Sequence, residues 1–365
     1  MNSPAPLLRL LQSVYLHGEL PPDFGNEEYE VSLRDMVNHD LASQVYSKLR
    51  SFNLLTEVPE YFRRRLHARY LTTVTQNALV KHELLTVCSA LEKGQIQAVP
   101  LKGVVLAEQY FGELGARPTG DIDILVHKEQ VPESIQCLKA LGFTPEGPLY
   151  PWQFHRVLSR RLNAKYTLIL EVHWNFIQER TSDVDLHGIW SRANPLTDFF
   201  SIKALSLEDT FYTLCLHGAN HRMESMKYAL DILHMIAQFR TELSFDRLLA
   251  QARRDQTFRR VFATLRWVYR LLPELHEVKP LPAAPQINRI PDFRQGENHM
   301  MMLDSWRYRW PVIKDKVWPS RDLVNIFVGG DNGKVYKHVY LEFYKKRLQK
   351  IARHVLRDHG RDDYA

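Results

Sequence analysis

Residues 95–126, QIQAVPLKGVVLAEQYFGELGARPTGDIDILV, change their apolar spacing twice, and that change decides the fold. The opening QIQAVPLKG is short, carries Ile96, Ala98 and Val99, and ends at Pro100 and Gly103, which predicts a strand running into a turn. GVVLAEQYFGELG then places apolar residues three and four apart, predicting a helix punctuated by Gly112 and Gly115. DIDILV, residues 121–126, is apolar-rich and short, and predicts a second strand.

Outward from this stretch the alternation continues. PESIQCLKALGF (132–143) has Pro132 in its first turn and predicts a helix, and YTLILEVHW (166–174), rich in β-branched and aromatic residues, predicts a third strand. Strand, helix, strand, helix, strand in this order is an α/β unit. Both flanks are helical in pattern. Before Gly94 these are LLRLLQSVYLHG (7–18), DMVNHDLASQVYSKLRSF (35–52) and a long segment from Pro59 to Lys93. After Ser206 they are LEDTFYTLCLHGANHR (207–222), SMKYALDILHMIAQFR (225–240) and FRRVFATLRWVYRLL (258–272). VKPLPAAPQINRIPDF (278–293) reads as a surface loop. The expected fold is therefore α+β: a small mixed sheet of four or five strands between residues 95 and 200, flanked by helical regions from both ends of the chain. The expected organisation is an N-terminal helical region 1–94, an α/β core 95–200 and a C-terminal helical domain 201–365.

Composition excludes several classes. With 365 residues, 45% hydrophobic and 25% charged, the chain is long enough for a sizeable core and too apolar for disorder. No run of apolar residues reaches membrane-spanning length, and the N-terminus has no basic segment leading into an apolar run, so a cytoplasmic protein without membrane association is expected. Cys88, Cys137 and Cys215 are scattered and form no CxxC pair, which predicts small buried hydrophobes rather than a zinc or redox motif. The net charge of +6 permits a phosphate-bearing ligand without demanding one.

Candidate chemistry centres on Asp121-Ile122-Asp123. In a strand, residues two apart share a face, so both carboxylates project together while Ile122 enters the core. Paired carboxylates repel unless a cation lies between them, and Mg²⁺ binds through one or two carboxylates plus substrate phosphates. Glu171, in LILEVHW, is the natural third carboxylate. A second Asp-x-Asp, Asp183-Val184-Asp185, lies among polar turn residues and reads as a loop or helix cap. Upstream, Lys102 and Gly103 sit where a strand turns into a helix: the glycine admits a phosphate to the backbone, and the lysine adds a full charge.

PLKGVVLAEQYFGELGARPTGDIDILV, LKALGF, LEVHW and LHGANHRMESMKYALDIL, in that order, resemble the uncharacterised bacterial nucleotidyltransferase family of the DNA-polymerase-β-like superfamily. The features shared are Lys102-Gly103, Arg117 ahead of Asp121 and Asp123, then Leu141-Gly142-Phe143, then Glu171, His173 and Trp174. The chain departs from the wider superfamily in having Lys-Gly where Gly-Ser is usual, a longer gap to the Asp-x-Asp, and Glu rather than Asp as third carboxylate. The resemblance implies two-metal transfer of an NMP from an NTP, with two Mg²⁺ ions on Asp121, Asp123 and Glu171, and with Lys102 and Arg117 on the triphosphate. His173, two residues from Glu171, shares its strand face in a supporting role. His217 and His221, at i and i+4, are expected to flank or support the nucleotide cleft, and zinc is disfavoured there because Gly218 stands where HExxH has glutamate. Lys227 and Asp231, again i and i+4, are expected to pair and to contact nucleotide or acceptor. The acceptor stays open between an RNA end, a protein side chain and a small metabolite, as does the oligomeric state. Two alternatives are an inactive member serving as a binding or regulatory module and an RNA-end-modifying protein. The latter rests on the basic, aromatic run KVYKHVYLEFYKKRLQKIARHVLR near the C-terminus, which also fits the solvated face of a terminal helix.

Overall fold

The computed structural model describes residues 5–150, 152–164, 166–196, 199–283, 293 and 299–318, with isolated positions 324, 340, 341, 344 and 345. Most of the basic C-terminal run and most of the Pro-rich stretch lie outside the described residues. Two compact units are present, Met1–Glu146 with Phe154–Ser305, and Gly147–Gln153 with Trp306–Ala365. The sheet and the candidate site belong to the first.

The fold is α+β, built among the described residues of thirteen α-helices, one five-stranded mixed sheet and a two-stranded antiparallel sheet of Asn194–Pro195 and Lys203–Ala204. The strands of the five-stranded sheet are β1 (Ala98–Pro100), β2 (Asp121–Val126), β3 (Thr144–Pro145), β4 (His155–Arg161) and β5 (Thr167–His173), in the spatial order β1-β2-β5-β4-β3. β2 and β5 run parallel in the middle; the other neighbours pair antiparallel. In register, Asp121 stands beside Ile169, Asp123 beside Glu171 and Leu125 beside His173.

The two-residue period of a strand divides the sheet chemically. Ile122, Ile124 and Val126 on β2, Leu168, Leu170 and Val172 on β5 and Leu158 on β4 are all buried. They share one core cluster with Val80, Leu84, Val87 and Leu91 of the helix Glu60–Lys93. Each contributes about 1.5–3 kcal/mol by leaving water, which fixes the register firmly. The alternate positions of β2 and β5 carry Asp121, Asp123, Glu171 and His173 on the opposite face. A one-residue slip would exchange these carboxylates with the core.

The helix Glu60–Lys93, ending at Gly94, matches the expected span closely. Three segments differ. Residues 35–52 are not one helix: Asn26–Asn38 and Ala42–Ser51 are separated by Asp40, whose φ of 58° is left-handed. Asn38, His39 and Asp40 are weak helix formers, and Asp is among the few residues that tolerate that conformation. After Gly103 the helix stops at Gln109, and Leu114–Ala116 forms only a 3₁₀ turn. Strands β3 and β4 had no sequence signal, because HRVLSRR puts charged or polar residues on both faces and shows no apolar alternation.

Candidate active site

β2 reaches the polar face through the loop Leu114–Gly120, which neighbouring helices hold at several points. Buried Asn77 of the helix Glu60–Lys93 donates to the carbonyls of Leu114 (2.6 Å) and Arg117 (2.7 Å) and accepts from the Thr119 amide (3.1 Å). Ser43, on the helix Ala42–Ser51, donates to the Gly115 carbonyl. Gly115 has no room for a side chain: a Cβ would lie 2.3 Å from the Tyr70 ring. From the other side, Arg117 closes on Asp231 of the helix Met226–Gln238 with two 2.9 Å hydrogen bonds, and Lys227 of that helix donates to the Pro118 carbonyl at 2.8 Å. The chain entering Asp121 is thus fixed before the strand begins.

On the polar face the charges are closely matched. Lys102, at the start of the helix Gly103–Gln109, places its Nζ 3.2 Å from Asp123 Oδ2 and donates to His217 Nδ1 at 3.3 Å. His173 Nε2 lies 3.1 Å from both Asp123 Oδ1 and Glu171 Oε2. Burial alone would raise the Asp123 pKa, yet Lys102 and His173 hold it far below the usual carboxylate range. Glu171 is likewise held down, against its burial, by the hydrogen bond and charge of His173. Asp121 goes the other way: burial and the neighbouring Asp123 carboxylate raise it, against the pull of Lys102. His173 is raised because the two carboxylates overcome its burial, whereas His217 is pushed well below its ordinary value by burial, Lys102 and His221. A neutral His217 is consistent with its accepting from Lys102.

The other residues expected at the site differ in how they relate to this cluster, and Arg117 and Asp231 are buried on each other. Gly103 adopts φ +67°, and a Cβ there would meet the Thr119 methyl at 3.0 Å. Gly103→Ala should therefore cost about 1–2 kcal/mol from the left-handed backbone alone, read as a lowered midpoint in thermal or urea unfolding. His221 packs with His217 (ring centroids 4.5 Å apart) and stacks on Tyr228 at 5.3 Å, bordering the site through His217. The expected Lys227–Asp231 pair is replaced by other partners. Asp231 is 1% exposed and engaged by Arg117 and by Gln44 at 3.2 Å, while Lys227 turns to the Pro118 carbonyl. Backbone geometry explains this, since the loop brings a bidentate guanidinium where a helical neighbour offers only a point charge. Burial, with the repulsion of Arg117, lowers Lys227 to about 8. Arg117 is itself only 4% exposed. Asp185 caps the helix Leu186–Arg192 by accepting from the Gly188 amide at 2.8 Å, as expected of the second Asp-x-Asp.

Sequence reasoning missed Asn77 and His155. Asn77 lies mid-helix among polar residues, with no signal to distinguish it. His155 starts β4 opposite His173 in the hairpin register, with ring centroids 4.9 Å apart. It had no signal of its own, because β4 shows no apolar alternation and only its pairing with β5 brings the two histidines together.

Two sets of side chains with metal-ligating atoms lie on this face. Asp121, Asp123 and Glu171 form an oxygen-only set on adjacent parallel strands, the ligand type Mg²⁺ takes, but their ligand atoms do not gather within 4.8 Å of one another as those of the next set do. His155, Glu171 and His173 bring ligand atoms within 4.8 Å of one another. Among the described residues no helix is long and apolar enough to cross a membrane. No curated protein matches the chain. Residues 27–273, which take in the clamped loop, the whole five-stranded sheet and the five α-helices from Leu186 to Leu271 that follow it, match the family described as uncharacterised nucleotidyltransferase, and the chain belongs to that family.

Proposed function

We propose that the chain transfers an NMP from an NTP to an acceptor hydroxyl or phosphate, in a Mg²⁺-dependent reaction centred on Asp121, Asp123 and Glu171. The observation that carries this is the register of β2 against β5, which sets Asp123 beside Glu171 on the face shared with Asp121, within reach of Lys102. Mg²⁺ on these carboxylates would supply Lewis-acid stabilisation of the pentavalent phosphoryl centre and of the leaving pyrophosphate. Asp121 and Asp123 would hold the dications; Glu171, about a quarter exposed, would complete the set and accept the proton of the attacking group. The acceptor oxygen forms its bond to the α-phosphorus as the bond to pyrophosphate breaks. Lys102 passes its charge from Asp123 to the triphosphate. Arg117 and Asp231, each closed on the other in the interior, act by positioning the loop that leads into Asp121. His173 orients Asp123 and Glu171, and His217 does the same for Lys102.

Lys102→Ala should raise the KM for NTP by more than it lowers kcat, because a triphosphate contact stabilises ground and transition states alike. Until an acceptor is in hand, the test is calorimetric titration of the chain with Mg²⁺ and NTP, together and separately. Mg²⁺-dependent NTP binding supports the proposal. One observation favours a second reading, an inactive binding or regulatory member: both oxygens of Asp123 already face Lys102 or His173. NTP binding that ignores Mg²⁺ would select it.

A further inference from the structure

We propose that His155, Glu171 and His173 form a site for one transition-metal dication of the Zn²⁺ class. This site differs in ligand chemistry from the carboxylate set and is joined to it through Glu171. The two imidazoles converge on one oxygen: His173 Nε2 lies 3.1 Å and His155 Nε2 4.0 Å from Glu171 Oε2. The longer distance exceeds a hydrogen bond, so a proton does not bridge it. It does match the spacing of ligands around a metal. Zinc bonds of about 2.1 Å in a tetrahedron place neighbouring donor atoms about 3.4 Å apart, between the two observed separations. All three donor atoms already lie within 4.8 Å of one another.

The surroundings agree with this. Hairpin pairing of β4 and β5 fixes both histidines on rigid strands, directly opposite each other. The side chains of His155 and Glu171 remain about a quarter exposed, at 23% and 24%, which leaves a coordination position open to water or a ligand. Lys102 stands on Asp123, one carboxylate away from the triad. Two imidazoles and one carboxylate select by ligand type: imidazole suits Zn²⁺ and its neighbours, and Mg²⁺ prefers oxygen and water. The inference shares Glu171 with the proposed transfer site but needs no nucleotidyl transfer.

The test uses the full chain stripped with a chelator and then titrated with Zn²⁺ against a chromophoric competitor, with Co²⁺ as a spectroscopic probe. The wild type should take one Zn²⁺ that a hundredfold excess of Mg²⁺ does not displace, and Co²⁺ should give the visible bands of a low-symmetry site. His155→Ala should weaken Zn²⁺ at least tenfold and abolish those bands, and His155→Cys, which restores a ligand, should recover them. Melting of each variant in chelator controls for folding. His217→Ala and His221→Ala should bind Zn²⁺ as the wild type does. Equal Zn²⁺ affinity in wild type and His155→Ala, or loss of binding in the His217 or His221 variants, overturns the inference. Asp121→Asn separates the two proposals: it should abolish Mg²⁺-dependent NTP binding while changing Zn²⁺ affinity less than threefold. Zn²⁺ binding in a chain with no NTP binding leaves the metal site standing and removes the transfer proposal. Mg²⁺–NTP binding with Zn²⁺ indifferent to His155 does the reverse.

Discussion

Asp123→Asn should lower turnover by several orders of magnitude while the fold survives. The change keeps size and shape but removes the charge that faces Lys102 at 3.2 Å and His173 at 3.1 Å. In the proposed reaction it also removes a ligand charge from the ions that bind the NTP and stabilise the leaving pyrophosphate, so it weakens Mg²⁺–NTP binding and lowers kcat together. Asp183→Asn, in the helix-capping segment beside Asp185, should leave turnover nearly unchanged and serves as the control. Circular dichroism and a melting curve establish that each variant is folded. If Asp123→Asn binds Mg²⁺ and NTP as wild type does while Asp183→Asn abolishes binding, the site lies at the other Asp-x-Asp.

The largest stability effect is expected from Arg117. Its guanidinium and the Asp231 carboxylate are almost wholly enclosed, with side-chain exposures of 5% and 2%. Arg117→Ala leaves a buried carboxylate with only Gln44 and the more distant Lys227 to compensate it. Breaking such a pair costs about 3–5 kcal/mol, against a typical folding stability of about 5–15 kcal/mol. Asp231→Ala should cost a similar amount. The double variant should be far less destabilised than the sum of the two, because the second change removes the charge the first left unpaired. Urea unfolding of the four proteins measures this cycle. Additive losses, or a loss below about 1 kcal/mol for Arg117→Ala, would show that the loop Leu114–Gly120 is not held by this pair.

How much was legible in the sequence follows from which forces act locally. β2 and the helix Glu60–Lys93 were readable because apolar spacing and a terminal glycine record burial directly. The shared face of Asp121 and Asp123 follows from strand geometry, and Glu171 stood out as a carboxylate within an apolar strand. β4 was not readable, since its two faces meet different partners and neither is uniformly apolar. His155 was lost with it. The partner of Asp231 was beyond sequence reasoning for another reason. The i,i+4 rule ranks local neighbours, and it misses a bidentate arginine brought 114 residues along the chain by the fold. Asn77 is of the same kind: three hydrogen bonds to one loop leave no trace in composition.

The central claim, that this face moves a nucleoside monophosphate, is tested most directly by following label. The chain is incubated with Mg²⁺, cell lysate and each NTP in turn, labelled in parallel at the α- or the γ-phosphate. The α-label should move to an acceptor in the wild type, in a Mg²⁺-dependent manner, while the γ-label leaves as pyrophosphate, and Asp123→Asn should do neither. Transfer of the γ-label to the acceptor, or α-label transfer that persists in Asp123→Asn, would contradict it.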